Sequence, residues 1–220
     1  MLEYPSFDGK FVDEPITAHP KYDGSNMRVE WTRKDGFAKF GTRHSRLDET
    51  TDPILSRSIP IWQEKYEEIA SEVLRKYGAK RATLFGELFG PNSFAGYHDP
   101  ADTFDVMLYD AAVDDNGIMP QTEFLKLFRG ADVAPVIYKG KANEILRAAV
   151  KAGEFRPGSK HVKALPPGAV CGEQSFEGVV CKGGRDKRGN VIMFKIKSDG
   201  WYDKLRLRCA GDEALFKKLA

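Results

Sequence analysis

Lys21 stands in the run His19-Pro20-Lys21-Tyr22-Asp23-Gly24-Ser25-Asn26, an amine followed closely by an Asp-Gly turn signal. Such a lysine can act as a covalent nucleophile once it sheds a proton. With an ordinary pKa of about 10.4, roughly one molecule in 2500 is neutral at pH 7, a handicap of about 4.6 kcal/mol. Desolvation, a second cation or a bound metal relieves it. Lys195 and Lys197 flank Ile196 near the end of the chain. On an extended strand, residues two apart share a face, so both amines are expected in one pocket with Ile196 turned into the core. Two such charges suit a phosphate and the negative charge that develops on it during transfer. They are also the cations expected to depress the pKa of Lys21.

Two carboxylates complete the set. Glu177 opens a later strand, with Val179 and Cys181 expected on its face and Gly178 allowing close backbone approach. There it could hold Mg2+ or Mn2+, ions that bridge phosphate oxygens and keep several waters. Glu87 lies between Phe85 and Phe89 in a run apolar on both faces. An unpaired carboxylate is rarely tolerated in such a strand, so Glu87 should meet a polar partner such as a ribose hydroxyl.

Other chemistries find little support. There is no GxxxxGK[ST] loop, no GxGxxG turn and no GxSxG elbow, and His19, His44, His98 and His161 stand apart. Cys171, Cys181 and Cys209 are odd in number and lack CxxC spacing, which argues against a disulfide framework or a zinc knuckle. The 34 basic and 32 acidic residues nearly balance, so any nucleic-acid surface must arise locally. No apolar leader or run of roughly 18 apolar residues is present, and a monomeric cytoplasmic protein without a membrane partner is expected.

The elements that must position these groups read as an α+β domain, one unit over residues 1–220. Met27–Trp31 and Phe37–Gly41 form a hairpin around Lys34-Asp35-Gly36, placing Lys21 at a strand entrance. Trp62, Tyr66, Ile69, Ala70, Val73, Leu74 and Tyr77 recur at helical spacing up to Gly78. Ala82–Phe89 and Phe104–Tyr109 read as buried strands joined through Gly90-Pro91-Asn92 and a loop containing Gly96. Helices are expected from near Thr122 and over Ala142–Val150, the latter with Ile145, Leu146 and Ala149 on one face. After a loop at Leu165-Pro166-Pro167-Gly168, strands Phe176–Lys182 and Val191–Lys197 flank a basic tip, and a short helix spans Asp212–Leu219.

Five segments in this order resemble one enzyme superfamily: Lys21-Tyr22-Asp23-Gly24, Thr42-Arg43, Phe85-Gly86-Glu87, Glu177-Gly178-Val179-Val180 and Lys195-Ile196-Lys197. They are similar to the covalent nucleotidyltransferases that include polynucleotide ligases and capping enzymes, and Asn26 draws the likeness toward ATP-dependent RNA ligases. The resemblance implies a nucleotidyltransferase (ATP-grasp-like adenylation) domain with antiparallel sheets flanked by helices. It casts Lys21 as the residue that takes AMP from ATP, with Asp23, Lys195 and Lys197 in the catalytic set. Arg43, with neighbouring Arg46 as a rival, would bind the reacting phosphate, Glu87 the ribose and Tyr109 the adenine. Glu177 would serve the metal. Asn26, Arg46, Lys182 and Arg185 would meet a nucleic acid with 5′-phosphate and 3′-hydroxyl ends, RNA by preference. A minimal DNA ligase and a non-catalytic sensor of RNA ends are the alternatives.

Three departures matter. Many relatives carry an acidic residue before the lysine that reads the adenine amino group, whereas this chain has Pro20. Base selection must be sought elsewhere. Asp23 is the form common in DNA ligases and capping enzymes. Only 23 residues follow Lys197, too few for an appended OB-fold.

Overall fold

A computed structural model describes residues 2–4, 14–91, 103–155 and 176–220. The expected loops around Gly96 and Leu165–Gly168, together with Asn92, His98, His161 and Cys171, lie outside these residues. Within them two antiparallel sheets face each other across a cleft, an α+β arrangement as the sequence implies. Strand β1 is Pro15–Tyr22, β2 is Ser25–Thr32, β3 is Gly36–Thr42 and β4 is the short Arg46–Leu47. After the first helices come β5 (Arg81–Phe89) and β6 (Asp105–Val113), then β7 (Tyr138–Lys141), β8 (Phe176–Arg185) and β9 (Val191–Lys197). One sheet runs β7-β1-β8-β9 and the other β4-β3-β2-β5-β6.

Lys21 therefore lies near the end of β1, and Asp23-Gly24 carries the chain across to β2 in the opposite sheet. The sequence places it at a strand entrance instead. The difference has a cause: Thr17-Ala18-His19-Pro20 lacks the alternation of an amphipathic strand, and Pro20 falls beyond the last residue that β7 pairs, Ala18. A residue without an N–H is tolerated there. Gly24 is fixed by the crossing, because a Cβ on it would fall 2.2 Å from the carbonyl oxygen of Leu88.

Helices cover the outer faces. Helix α1 (Ser58–Trp62), a wide π turn over Gln63–Glu67, and α2 (Glu68–Tyr77) form one continuous rod that ends at left-handed Gly78. Its buried residues Trp62, Tyr66, Ala70 and Leu74 recur every fourth position, outrunning 3.6 residues per turn. The wide turn takes up that drift and keeps them on one face. Tyr77, expected on this face, is exposed. This rod and α3 (Gln121–Leu127) build the larger core with β2, β5 and β6 through Trp31, Leu84, Leu108 and Phe124. Helix α4 (Glu144–Lys151), capped by Asn143, covers the back of the other sheet through Leu146 and Val150. Ile145 points to solvent at 78% exposure, so it does not share the face expected of it.

Two further helices follow β9. Helix α5 (Asp199–Cys209) begins at the Ser198 cap and buries Trp201, Leu205 and Cys209, a four-residue repeat that signals a helix. Helix α6 (Glu213–Leu219) starts at Asp212 as expected. Among the described residues no helix is long and apolar enough to cross a membrane.

Candidate active site

Register assembles the floor of the cleft. On β1, Ile16 and Ala18 face the core under α4, while His19 and Lys21 face the cleft. Lys21 pairs with Gly178 and His19 with Val180 on β8; Gly178 in turn pairs with Lys197 and Val180 with Lys195 on β9. The floor thus carries Lys21 beside Lys197 at one end, His19 and Lys195 in the next row, then Thr17 and Lys182. The facing sheet supplies Asn26 from β2, Arg43 after β3, Glu87 from β5 and Tyr109 from β6. Together they line a cavity of about 330 Å³, a size suited to a small-molecule ligand.

Glu177 reaches this cavity by a device that alternation does not foresee. Val179 and Cys181 are buried in the core under α4, and strict alternation would send Glu177 there as well. The β1–β8 register instead shifts between Lys21 and Tyr22, and Gly178 adopts φ +148°. The irregularity turns Glu177 into the cleft. A Cβ on Gly178 would fall 2.1 Å from the carbonyl oxygen of Ile196, so only glycine fits.

At the head of the cavity Lys21 Nζ donates to Glu177 Oε2 and Lys197 Nζ pairs with Glu177 Oε1 at 3.0 Å. Lys197 also donates to a main-chain oxygen of Ala220 and lies 3.9 Å from the centre of the Trp201 ring. Burial opposes charge on Lys21, but Glu177, then Glu87, outweigh it and raise its pKa. Burial dominates at Lys197 and lowers its pKa. The sequence expectation assigns the lowered pKa to Lys21; a carboxylate standing between the lysines reverses the two.

Glu87 is half-buried. Burial, with added repulsion from Glu177 and Asp23, pushes its pKa up to about 8 against the attraction of Lys21 and Arg43. Asn26 donates to the hydroxyl of Tyr109, and its own Oδ1 is buried without a hydrogen-bond partner. The acidic corner formed by Glu177 and Glu87 offers hard oxygen donors, the type that suits Mg2+ or Mn2+. Among the described residues no three His, Cys, Asp or Glu side chains form a complete cage.

Residues 14–197, which contain Lys21, Asn26, Arg43, Glu87, Tyr109, Glu177, Lys195 and Lys197, match the family model described as RNA ligase. The chain belongs to the RNA ligase family. No curated protein matches the chain. Solved structures of similar fold include Naegleria gruberi RNA ligase with PPi, 20% identical, TM-score 0.60, over 87% of this chain and 52% of that one. A point mutant of the same ligase with ATP and Mn is 19% identical at TM-score 0.59, with the same two coverages. An archaeal ATP-dependent RNA ligase is 16% identical at TM-score 0.59, over 94% of this chain and 51% of that one. The chain spans about half the length of these solved chains.

Within the RNA ligase fold the remaining candidates separate by place. Of the two arginines, Arg43 lines the cavity and Arg46 is exposed on β4. Asp23 is buried in the β1–β2 crossing. Lys182 is not on the exposed hairpin tip. It is 3% exposed, with Nζ donating at 2.7 Å to both Asp110 Oδ2 and the carbonyl oxygen of Tyr109. The pairing with Thr17 sets it at the root of the hairpin, where an ammonium must find a carboxylate. Arg185 does lie on the tip, but its guanidinium donates to the carbonyl oxygens of Gly189, Asn116 and Ile118, anchoring the hairpin to the turn after β6.

The sequence gives no sign of Tyr4. It is buried beside Phe85 and Tyr109, lines the cavity and donates to Asp110 Oδ2. It lies 17 positions before Lys21, outside the matched segment, with no pattern around it.

Proposed function

We propose that the chain is an ATP-dependent RNA ligase that carries AMP on Lys21. The observation that carries this reading is Lys21 at the head of a nucleotide-sized cavity, sharing Glu177 with Lys197, in a chain of the RNA ligase family. The Naegleria ligase, solved with ATP and Mn and with PPi, and the archaeal ATP-dependent ligase support the choice of nucleotide and divalent ion.

Lys21 Nζ attacks the α-phosphorus, a P–N bond forms as the bond to pyrophosphate breaks, and the lysine proton leaves to solvent or a nearby base. AMP then passes to a 5′-phosphate end of RNA, and a 3′-hydroxyl displaces it to close the phosphodiester bond. Lys197 and Lys195 stand beside Lys21 to balance charge on the α-phosphate. Glu87 faces the cavity where a ribose hydroxyl can pair with it, and Tyr109 offers the base a ring held in place by Asn26. Glu177 would hold the divalent ion, which supplies positive charge beside the phosphate and competes with Lys21 for the carboxylate. Glu177 raises the pKa of Lys21, so engagement of that carboxylate by a cation would ease loss of the lysine proton.

Intact mass after incubation with ATP and Mg2+ tests this. A single AMP adduct on the wild type that is absent from Lys21→Ala, followed by sealing of nicked RNA, is the expected result. Full labelling of Lys21→Ala would overturn the assignment; sealing of DNA alone would favour a minimal DNA ligase, and a folded, unlabelled wild type an end sensor.

A further inference from the structure

Residues 2–4 lie outside the segment 14–197 that matches the RNA ligase family, yet Tyr4 lines the cavity. One row across the facing sheet holds them. Arg28 on β2 pairs with Phe85 on β5, and Phe85 pairs with Asp110 on β6. Arg28 Nη1 donates to the carbonyl oxygen of Leu2 at 3.1 Å, the Phe85 ring centre lies 5.0 Å from that of Tyr4, and Asp110 Oδ2 accepts from the Tyr4 hydroxyl. All three members of the row thus touch this short segment. The adjoining row carries Asn26 and Glu87, which face the cavity. Leu2 and Glu3 are exposed, whereas Tyr4 is buried. A surface segment is therefore anchored by one ring set into the nucleotide end of the cleft.

That ring packs on Tyr109. Their centres lie 5.1 Å apart and their planes meet at 78°, an edge-to-face pair. Other restraints hold the ends of Tyr109: Asn26 donates to its hydroxyl and Lys182 Nζ to its main-chain oxygen. A hydrogen bond on the ring axis leaves rotation about that axis to the groups packed beside it. Lys182 Nζ, 5.2 Å from the ring centre, is one, and Tyr4 is another. The two are locked together, since both donate to Asp110 Oδ2. The Tyr4 hydroxyl has one proton, and a carboxylate accepts it better than the Met193 sulfur 3.8 Å away. Burial, reinforced by the Asp110 charge, raises the pKa of Tyr4, so it stays the donor at neutral pH.

We propose that Tyr4 is a positioning residue for the nucleotide: it sets the tilt of the Tyr109 ring against which the base stacks, which makes residues 2–4 part of the nucleotide site. The inference rests on the reading of this cavity as an ATP site. Coupling between two groups is reciprocal, so a base that binds better with Tyr4 in place must also hold Tyr4 in place.

Two readouts test this, with tripolyphosphate as the ligand that fills only the phosphate end. Tyr4→Leu, which keeps an apolar side chain but no ring, should raise the ATP concentration for half-maximal labelling of Lys21 by about tenfold. The rate at saturating ATP and the inhibition by tripolyphosphate should stay within about twofold of wild type. Tyr4→Phe, which keeps the ring, should stay within about threefold for ATP. A merely structural tyrosine would show no such division between the two ends of the ligand. In the wild type, nitration of Tyr4 is followed in the tryptic peptide 1–10, which holds no other tyrosine. Saturating ATP should slow it by about the same tenfold, and tripolyphosphate should not. This second readout decides the matter even where a Tyr4 variant fails to fold. Unchanged ATP dependence in Tyr4→Leu, a loss shared equally by ATP and tripolyphosphate, or nitration indifferent to ATP overturns the proposal. Any of these beside normal labelling of Lys21 removes the role of Tyr4 and leaves the ligase reading standing; protection of Tyr4 by ATP in a chain that never labels does the reverse.

Discussion

Lys21 and Glu177 are paired across adjacent strands, and the pair exists because the β1–β8 register slips by one residue at that point. With Lys197 on the other carboxylate oxygen, one acid restrains two bases. The lysine proposed to attack is the one whose pKa this carboxylate raises. Replacing Glu177 by Gln removes the charge that raises the pKa of Lys21 while its burial persists, so the amine should deprotonate at lower pH. The expected outcome is an adenylylation profile displaced to lower pH, with the Mg2+ concentration for half-maximal labelling raised by at least about tenfold. An unchanged magnesium titration would remove Glu177 from the metal role.

Gly178 makes that slip possible, and its replacement should show in stability as well as activity. An alanine would place Cβ 2.1 Å from a backbone oxygen, at a φ that side chains rarely adopt. A strained backbone position costs about 1–3 kcal/mol, and for a chain of this size each kcal/mol lowers Tm by about 2–4 °C. Gly178→Ala should therefore melt several degrees below the wild type and lose most of its labelling. Gly184→Ala, on the same strand with nothing within 4 Å of a Cβ, should do neither.

How much of this was legible depends on whether a signal was local. Lys195, Ile196 and Lys197 obey simple alternation, so their faces follow from spacing alone. The hairpin β2–β3 and the rod α1–α2 carry strong periodicity and a turn or glycine stop. Strand β7 reads Tyr-Lys-Gly-Lys, short and polar, and nothing in it announces a partner until β1 is present beside it. Glu177 was legible as a candidate carboxylate but its orientation into the cleft was not, since a register slip is a property of two strands together. The seat of Lys182 was hidden for a related reason. Its partner Asp110 lies 72 positions away in the opposite sheet.

Glu87 makes the stability of the ligand-free protein depend on pH in a direction opposite to most carboxylates. Its pKa is raised from 4.5 to about 8, so across this interval the folded state holds a proton that the unfolded chain has released. The stability tied to that proton is fully present below the unfolded value and is lost as pH rises through the folded one. Buried His19, its pKa lowered to about 3, opposes this trend below about pH 6.5, so thermal melts from pH 6.5 to pH 8 should show a falling Tm. Glu87→Gln, which cannot ionise, should flatten that fall and be the more stable form at pH 8, while binding ribose less well. A wild-type Tm rising over this range with no difference in Glu87→Gln would contradict the assignment.

The final prediction separates the root of the β8–β9 hairpin from its tip. Asp110 is fully buried and takes hydrogen bonds from Lys182 and Tyr4 on one oxygen. Lys182→Ala leaves that carboxylate without its cation, a loss of about 3–5 kcal/mol for a buried pair, enough to lower Tm by about 10 °C. Arg188→Ala, on the exposed tip, should leave Tm within about 1 °C, the scale of an ordinary surface change. The double variant Lys182→Met with Asp110→Leu removes both charges and should recover much of the lost stability. It should not recover nucleotide binding, because the Tyr109 carbonyl and the Tyr4 hydroxyl lose the partners that hold the base end of the cavity. If Lys182→Ala melts like the wild type and loses only affinity for RNA, then its ammonium serves the substrate and not the floor of the cleft.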